Sequence, residues 1–490
     1  MKRLGVLWSA ALVGMAVLFA GLWVIALSGR VFYPFELEWQ EGAMVVHVLR
    51  VRAGTPLYVP PSPSFIPFIY PPLYMYAAAG LSRLLGTGFL PLRALSVGST
   101  VAVAALLGSW VYRETRRPAA AGATVALWLA TYPLSGTWFD VGRVDAFFLL
   151  WVWMAAWLLR FGEGPAAYVG ASLAWTLAFF TKQTALFVLA PLYAWLFLSR
   201  RVRAWPFLVG FPLLLGLGVG AAYRMTGGWF AYYVFRLPAG HALLPHMVTR
   251  FWWHDLLPHL GGALVLTLVA VLWGRGGWEK GFYAALLVGL VGSAWFSRIH
   301  EGGYLNVLMP AHSGLALGTG LLAGRLTFRG RWKGAHGLAA GVVLLQLMWL
   351  LYNPLPLRPP ARNVAAGRAL LEVLVHIRGD VLIPYHGYLA EMAGKRSFAH
   401  EMAMSDVLRG DPDGWGRRLE AMYRKDILSA RWSAIVLDRE DWRYIEEVRR
   451  VYEGPVRVFH DDRVFWPVTG FRTRPEYLYL GGQGMVMGRY

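Results

Sequence analysis

The sequence predicts a polytopic α-helical membrane protein with a small α/β domain at its C-terminal end. Of the 490 residues, 57% are hydrophobic and only 15% are charged, a balance too apolar for a soluble chain. Long apolar stretches recur up to about residue 353, and no later stretch is long enough to cross a bilayer. The chain has no cysteine, which excludes disulfides and thiolate chemistry.

The first apolar run extends to Leu27 behind Lys2 and Arg3, and it is too long for the core of a signal peptide, so we interpret it as a retained span. A span needs about 20 apolar residues, somewhat fewer where flanking side chains reach the interface. By this rule the chain crosses the membrane eleven times, near 5–27, 91–111, 119–135, 145–160, 166–181, 183–199, 206–222, 259–274, 281–296, 304–323 and 335–352.

The basic residues predict the orientation of these spans. If Lys2 and Arg3 are cytoplasmic, every strongly basic short loop falls on the same side, as the positive-inside rule requires. The segment 70–86 must then not cross, so we predict about eleven transmembrane helices plus a re-entrant or juxtamembrane helix that begins at Pro71 and Pro72. The first outer loop is then 28–90. The net charge of +19 is explained by topology, and no nucleic-acid partner is expected.

After the prolines of 354–360 the composition becomes that of an ordinary soluble domain. Segments 362–377 and 413–430 have helical patterns, whereas 381–384 and 433–437 resemble buried strands. We therefore predict a transmembrane domain over 1–353 and an extracytoplasmic α/β domain over 354–490, a usual size for a domain.

Acidic and basic residues occur together at the predicted outer ends of the spans, whereas the predicted cytoplasmic ends are almost purely basic. Three carboxylates, Glu36, Glu38 and Glu41, follow the first span. Ionisable groups beside the hydrocarbon region are costly and usually functional. The other outer clusters contain Asp140, Arg143, Asp145, Lys182, Gln183, Thr184, Arg298, His300, Glu301 and Asn306. These residues predict a site on that face.

Each cluster also has a structural explanation. The acidic stretch could be the solvated first turn of a helix, Arg143 and Asp145 an ion pair at a helix start, and Lys182 a snorkelling interface residue. The histidines of the loop 223–258 match no familiar metal-ligand spacing. A transporter or flippase for a lipid-linked or anionic solute is the alternative function, but it should bury charges near the middle of its spans. A membrane scaffold displaying the C-terminal domain is a third.

Two stretches, Gly54-Thr-Pro-Leu-Tyr58 and Phe65-Ile-Pro-Phe-Ile-Tyr-Pro-Pro-Leu-Tyr74, resemble the start of the GT-C superfamily of membrane glycosyltransferases. The branch is that of the protein O-mannosyltransferases and lipid A aminoarabinose transferases. Segments 143–145, 182–184 and 300–306 are also similar to bacterial members, and the resemblance covers roughly residues 1–320. The adjacent acidic pair of the family is here spread as Glu38-Trp-Gln-Glu41, so either carboxylate is a candidate base.

The resemblance implies an inverting glycosyltransferase in the plasma membrane. It would move a monosaccharide from a polyprenyl-phosphate-linked donor to a hydroxyl of a glycan, lipid or protein acceptor on the extracytoplasmic face. The anionic leaving group needs cations rather than a general acid, for which the candidates are Arg143, Lys182, Arg298 and His300. The candidate catalytic bases are Glu38 and Glu41. The candidate substrate-binding residues are Tyr70, Asp140, Asp145, Gln183 and Asn306. No cofactor is assigned, although two nearby carboxylates can hold a divalent cation, so metal dependence stays open.

Overall fold

The structure is a computed structural model that describes residues 2–199, 202–326, 333–411 and 413–482. Its larger part is a bundle of apolar helices. A smaller layer of helices and a sheet, built from residues after 360, covers one end of this bundle, which we call the domain end; the opposite end is called the basic end.

The bundle helices are α1 (Lys2–Ser28), α2 (Glu41–Arg52), α3 (Leu73–Leu85), α4 (Phe89–Thr115), α5 (Pro118–Ala130), α6 (Val144–Phe161), α7 (Gly164–Thr181), α8 (Ala185–Leu198), α9 (Trp205–Met225), α10 (Pro245–Leu272), α11 (Gly277–Ile299), α12 (Met309–Leu326) and α13 (Lys333–Trp349).

Each of the eleven predicted spans coincides with one of these helices. In the described part of the chain, seven helical stretches are long and apolar enough to cross a membrane. They lie in α1, α4, α6, α9, α10, α11 and α12, and α5, α8 and the end of α13 are shorter apolar helices. The protein is therefore an integral membrane protein, and the crossing of the remaining four helices stays a prediction.

Helix α3 occupies the segment predicted not to cross. Its 13 residues begin directly after Pro72, and at 1.5 Å per residue they span about 20 Å, which is too short for the hydrocarbon core. It packs against α2, α4 and α7. Helix α2 is absent from the predicted elements because it is only 12 residues long and of mixed polarity, although Met44, Val45 and Val48 are buried in it.

Helix α10 begins at Pro245, well before the predicted start near 259. The stretch expected to be an outer loop instead contains short helical turns over 229–239 and a π-helical segment, Phe251–Leu256, inside α10. The polar pair His254 and Asp255 interrupts the apolar pattern there, which hides the continuity of the helix from a hydropathy rule.

The domain beyond the prolines contains a four-stranded sheet in the order β1-β2-β4-β3. Strand β1 pairs parallel with β2, and β4 pairs antiparallel with both β2 and β3. The predicted helices and strands are present, whereas β3 and β4 are not among the predicted elements; β3 is mostly exposed and lacks an apolar pattern. The elements are α14 (Ala361–His376), β1 (Val381–Leu382), α15 (Tyr388–Met392), α16 (Glu401–Gly410), α17 (Trp415–Leu428), β2 (Ala434–Leu437), α18 (Ile445–Val451), β3 (Tyr452–Arg457) and β4 (Tyr477–Gly481).

Residues 28–90, predicted to form the first outer loop and called by that name below, lie between the bundle and this domain. Tyr33, Phe35 and Leu37 are buried in a core cluster with Leu370 of α14 and Phe465 of the domain. Burying these apolar side chains removes them from water and fixes the loop against the sheet layer. The acidic stretch is therefore held at the junction of the two layers.

The basic end is not almost purely basic, and that expectation was wrong. Glu114 of α4 pairs with Arg160 of α6, and Glu279 of α11 pairs with Arg325 of α12. The hydroxyl of Tyr283 donates to Glu114 at 2.8 Å. These acids form ion pairs between neighbouring helices. Acidic and basic residues therefore occur together at both ends of the bundle, and their presence alone does not identify the domain end as a functional site.

Candidate active site

The three carboxylates of the acidic stretch contact three different partners. A turn closed by the Glu41 N–H and the Glu38 carbonyl (2.9 Å) leads into α2. Glu36 contacts the C-terminal domain, Glu38 contacts the loop before α6, and Glu41 contacts α4. A single short stretch thus supplies three separate buried charge contacts.

Glu41 is fully engaged by the scaffold. Arg93 binds it through two hydrogen bonds, Nε to Oε1 at 2.8 Å and Nη2 to Oε2 at 2.7 Å. The N–H groups of Gly142 and Leu37 donate to the same two oxygens at 2.8 and 2.9 Å. A Cβ at position 142 would lie 3.0 Å from the carboxylate and 2.8 Å from Leu92, which explains the glycine. Four donors on one buried carboxylate indicate a structural role.

Arg93 extends this structural role to the whole start of the first outer loop. Its Nη1 donates to the carbonyls of Arg30 and Tyr33 at 2.9 and 2.5 Å, and its Nη2 donates to Phe35 at 2.6 Å. The guanidinium therefore ties the loop to α4 through five donated hydrogen bonds, which is the full capacity of the group.

Glu38 has a different environment. It is 1% exposed and accepts one hydrogen bond from Arg143 Nη1 at 2.8 Å. Gly470 of the C-terminal domain lies against it, and a Cβ there would be 2.6 Å from the Glu38 Cγ. Burial outweighs the opposing charge of Arg143 and raises the pKa of the Glu38 carboxyl to about 7. The group can therefore exchange a proton near neutral pH.

Arg143 joins Glu38 to the aromatic residues of the first outer loop. Its Nη2 donates to the Tyr70 hydroxyl at 3.1 Å, and its guanidinium carbon lies 5.7 Å from the ring centres of Phe68, Tyr70 and Trp138. Its Nε is buried and has no hydrogen-bond partner among the described residues. This guanidinium therefore retains a donor that a ligand could use.

Lys182 and Asp145 form the next part of the same cluster. Lys182 Nζ lies 2.6 Å from Asp145 Oδ1, which also accepts a hydrogen bond from Asn306 at 3.0 Å. The indole N–H of Trp138 donates to Asp145 Oδ2 at 2.9 Å. Because Trp138 contacts both Arg143 and Asp145, the two ion pairs belong to one site. Lys182, Asp145 and Asn306 line a small cavity together with Thr184, Ser293 and Ser297.

Gln183 ties this cluster to the first outer loop. Its side-chain amide donates to the Ile69 carbonyl at 2.9 Å, and its Oε1 is buried without a hydrogen-bond partner in the described chain. The Tyr70 carbonyl accepts from Tyr58 at 2.7 Å. The turn between α7 and α8 and the segment before α3 therefore hold each other in place.

Three other predicted site residues are used elsewhere. Asp140 is paired with Arg30, with Nε to Oδ2 at 2.5 Å, and also accepts from Tyr132 at 2.8 Å. Arg298 is paired with Asp255 at 2.8 Å and donates to the Gly303 carbonyl. His300 packs on Phe296 at 4.7 Å. In the described part of the chain, no hydrogen bond or ion pair joins them to Arg143 or Lys182.

Several residues that organise the site are absent from the predictions. Arg30 and Arg93 are buried at the domain end. The sequence indicated only Arg93, because an arginine within a predicted span is unusual. Nothing in the sequence around His386 or Asp438 indicated a role in the site.

The divalent cation stays an expectation: no group of three or more acidic or histidine side chains suited to a metal occurs among the described residues.

His386 bridges the first outer loop and the C-terminal domain. Its Nδ1 contacts Glu36, and its Nε2 lies 2.8 Å from Asp438 Oδ2, directly after β2. Thr473 donates to the same Asp438 oxygen. Burial opposes the charged imidazole, but the carboxylates of Asp438 and Glu36 outweigh it and raise the His386 pKa to about 10.

This bridge predicts a pH-dependent stability. A group whose folded pKa is raised stabilises the fold fully below its unfolded pKa, and the contribution is lost as pH rises through the folded value. We expect the advantage in melting temperature of the wild type over His386→Gln to shrink steadily from about pH 6.5 to about pH 10. Thermal unfolding of both proteins across that range measures it, and parallel curves would contradict the charged bridge.

Comparison with solved structures identifies the fold. The chain superimposes on ArnT from Cupriavidus metallidurans in the apo state with a TM-score of 0.56 at 12% identity, covering 95% of this chain and 97% of that one. ArnT bound to undecaprenyl phosphate gives 0.58 at 12% identity, with coverage of 97% and 99%. The Archaeoglobus fulgidus oligosaccharyltransferase complex with Zn and sulfate gives 0.51 at 13% identity, with coverage of 91% and 71%.

No family model matches the sequence, and no curated protein does. The structural likeness nevertheless confirms the expected fold, which this chain shares with ArnT over nearly its whole length.

Proposed function

We propose that this protein is an inverting glycosyltransferase that moves a monosaccharide from a polyprenyl-phosphate-linked donor to an acceptor hydroxyl on the extracytoplasmic face of the membrane. The observation that carries the proposal is a pair of buried ion pairs joined by Trp138: Glu38, whose pKa is about 7, with Arg143, and Asp145 with Lys182. The shared fold with ArnT, whose structure was solved with undecaprenyl phosphate, supports it. The charges lie at helix ends rather than mid-span, which disfavours a transporter.

The donor phosphate is assigned to the cavity beside Lys182. Lys182, Thr184 and Ser297 line this cavity and are the candidate donors for phosphate oxygens, and Asn306 holds Asp145 in place. Arg143, with its unpartnered Nε, is the second cation of the site. Arg298 and His300 are not included, because their contacts hold the turn after α11.

The reaction is a single displacement at the anomeric carbon. The acceptor oxygen attacks this carbon from the face opposite the phosphate, the bond between carbon and phosphate oxygen breaks, and the configuration inverts. Glu38 accepts the proton of the hydroxyl, for which a pKa near the working pH is suited. Polyprenyl phosphate leaves with the bonding electrons as an anion, stabilised by Lys182 and Arg143. Glu41 has no free oxygen for this task and is assigned to the scaffold.

The phosphate assignment predicts charge-dependent binding of lipid phosphate. We expect Lys182→Met and Arg143→Met each to weaken binding of undecaprenyl phosphate to the purified protein by about tenfold or more, the loss of one hydrogen bond to a charged group. Native mass spectrometry of the protein titrated with this lipid measures the effect.

Lys182→Arg keeps the charge beside Asp145 and should bind within about threefold of the wild type, which separates loss of the cation from loss of folding. Arg396→Met removes an exposed arginine of the C-terminal domain and serves as the control. Unchanged affinity in both methionine variants would rule out a phosphate site at this cluster.

A further inference from the structure

A second cavity, of about 60 Å³ and open to one side, lies beside Tyr70 on the domain end. Its walls come from the first outer loop, the residues before α10, the turn after α11 and helix α16. It is thus formed jointly by the bundle and the C-terminal domain. The reaction derived above uses the cavity at Lys182 and leaves this one without a role.

His241 and Asp406 are buried in its wall, Arg409 and Glu301 are partly exposed there, and two of these side chains are incompletely satisfied. His241 is 8% exposed, and its Nε2 has no hydrogen-bond partner in the described chain; it lies 3.6 Å from Asp406 Oδ1. Arg409 pairs with Asp406 and lies 3.5 Å from Glu301, yet its Nε also lacks a partner among the described residues. Unsatisfied buried donors and acceptors are costly, so they indicate a polar ligand.

The rest of the lining narrows the chemistry of that ligand. Phe68 and Tyr70 offer aromatic faces, and Gln40 adds an amide. A sugar ring packs its C–H groups on an aromatic face, while each hydroxyl both donates and accepts, which matches a mixture of carboxylate, imidazole, amide and guanidinium groups. The carboxylates of Glu301 and Asp406 disfavour an anionic ligand, and the polar wall disfavours an apolar chain.

We propose that this cavity is the acceptor subsite, that it takes the sugar ring of a hydroxyl-rich acceptor, and that His241 and Asp406 determine its specificity. The inference rests on the proposed function. Tyr70 lines the cavity and accepts a hydrogen bond from Arg143, the partner of Glu38. Through these two hydrogen bonds Tyr70 links the wall of the cavity to the proposed base.

Saccharide binding to the full-length protein in lipid nanodiscs tests the subsite, with thermal unfolding as the readout. Two matched panels are titrated: methyl glycosides of hexoses and N-acetylhexosamines, which stay in water, and octyl glycosides of the same sugars, which partition into the bilayer. At least one sugar should raise the unfolding temperature saturably. A response to the methyl panel identifies a water-borne acceptor, and a response to the octyl panel alone identifies a membrane-borne one.

Three substitutions locate that response. His241→Phe and Asp406→Asn should each weaken the apparent affinity by about tenfold, the loss of a hydrogen bond to a buried or charged group. Met402→Trp fills the cavity without removing a polar group and should abolish the response, so the test does not depend on the folding of the Asp406 variant. Asp380→Asn, in an exposed ion pair, should leave it unchanged.

No saturable shift with either panel, or a shift that survives all three cavity substitutions, overturns the acceptor subsite. Undecaprenyl phosphate binding is measured on the same wild-type sample. If the lipid phosphate binds through Lys182 while no sugar binds in the cavity, only the acceptor subsite is wrong. If neither binds, the proposed function fails with it.

Discussion

Glu38→Gln is expected to reduce sugar transfer by about 100- to 10,000-fold, the usual contribution of a general base. The amide keeps the size of the side chain and the hydrogen bond from Arg143 but cannot take the proton. Because the Glu38 pKa is about 7, the neutral form is already well populated at neutral pH, so the fold should tolerate the change. Transfer from a polyprenyl-phosphate monosaccharide to acceptor measures the effect, with undecaprenyl phosphate binding retained.

The pH profile supplies an independent check on Glu38. Since the ionised carboxylate is the active form, transfer should rise with pH up to about 7 and level off above it. The residual activity of Glu38→Gln should not rise with pH in this range. Glu163→Gln, which alters an exposed acid at the basic end, is the matched control. Glu38 is not the base if Glu38→Gln turns over like the wild type. The same follows if transfer by the wild type rises with a pKa near the ordinary value for glutamate.

Glu41→Ala is expected to damage the fold rather than the chemistry. It leaves the Arg93 guanidinium buried and without its carboxylate, for which the typical cost is about 3–5 kcal/mol. We expect a large fall in the melting temperature of the detergent-solubilised protein. The double variant Glu41→Leu with Arg93→Met removes both charges and should recover part of that loss, because an apolar pair of similar volume is often nearly neutral.

Asp380→Ala is the stability control for this experiment, since the exposed pair with Arg396 contributes at most about 1 kcal/mol. A Glu41→Ala protein that melts like the wild type but transfers no sugar would reverse the assignment and make Glu41 the base.

Much of the bundle was predictable because each apolar helix carries its own local signal. The segment before α4 was predicted not to cross because counting it as a span would reverse the side of every later basic loop. It forms the short helix α3, which begins after two prolines. The start of α10 was misplaced because His254 and Asp255 break the apolar pattern. Strand β3 escaped prediction because five of its six residues are exposed.

The candidate site was predictable only in part, because the direction of a side chain at a helix tip depends on distant residues. Glu38, Arg143, Lys182, Asp145 and Asn306 do meet. The choice between Glu38 and Glu41 could not be made from the sequence, since their partners Arg143 and Arg93 lie 105 and 52 residues away. The two glutamates are three residues apart in the sequence, yet in the structure Glu38 contacts Arg143 and Glu41 contacts Arg93.

The contact of Gly470 with Glu38 has a consequence for biosynthesis. The backbone N–H groups of Val468 and Thr469 donate to the Leu37 carbonyl at 3.1 and 3.2 Å, which brings this late segment over the acidic loop. During translation the loop is inserted long before the segment that covers it has been made. A nascent chain with all its spans in place still lacks Val468, Thr469 and Gly470, which cover the acidic loop in the folded protein. With Glu38 as the proposed base, we expect the unfinished protein to transfer no sugar until residues 468–470 lie over the acidic loop.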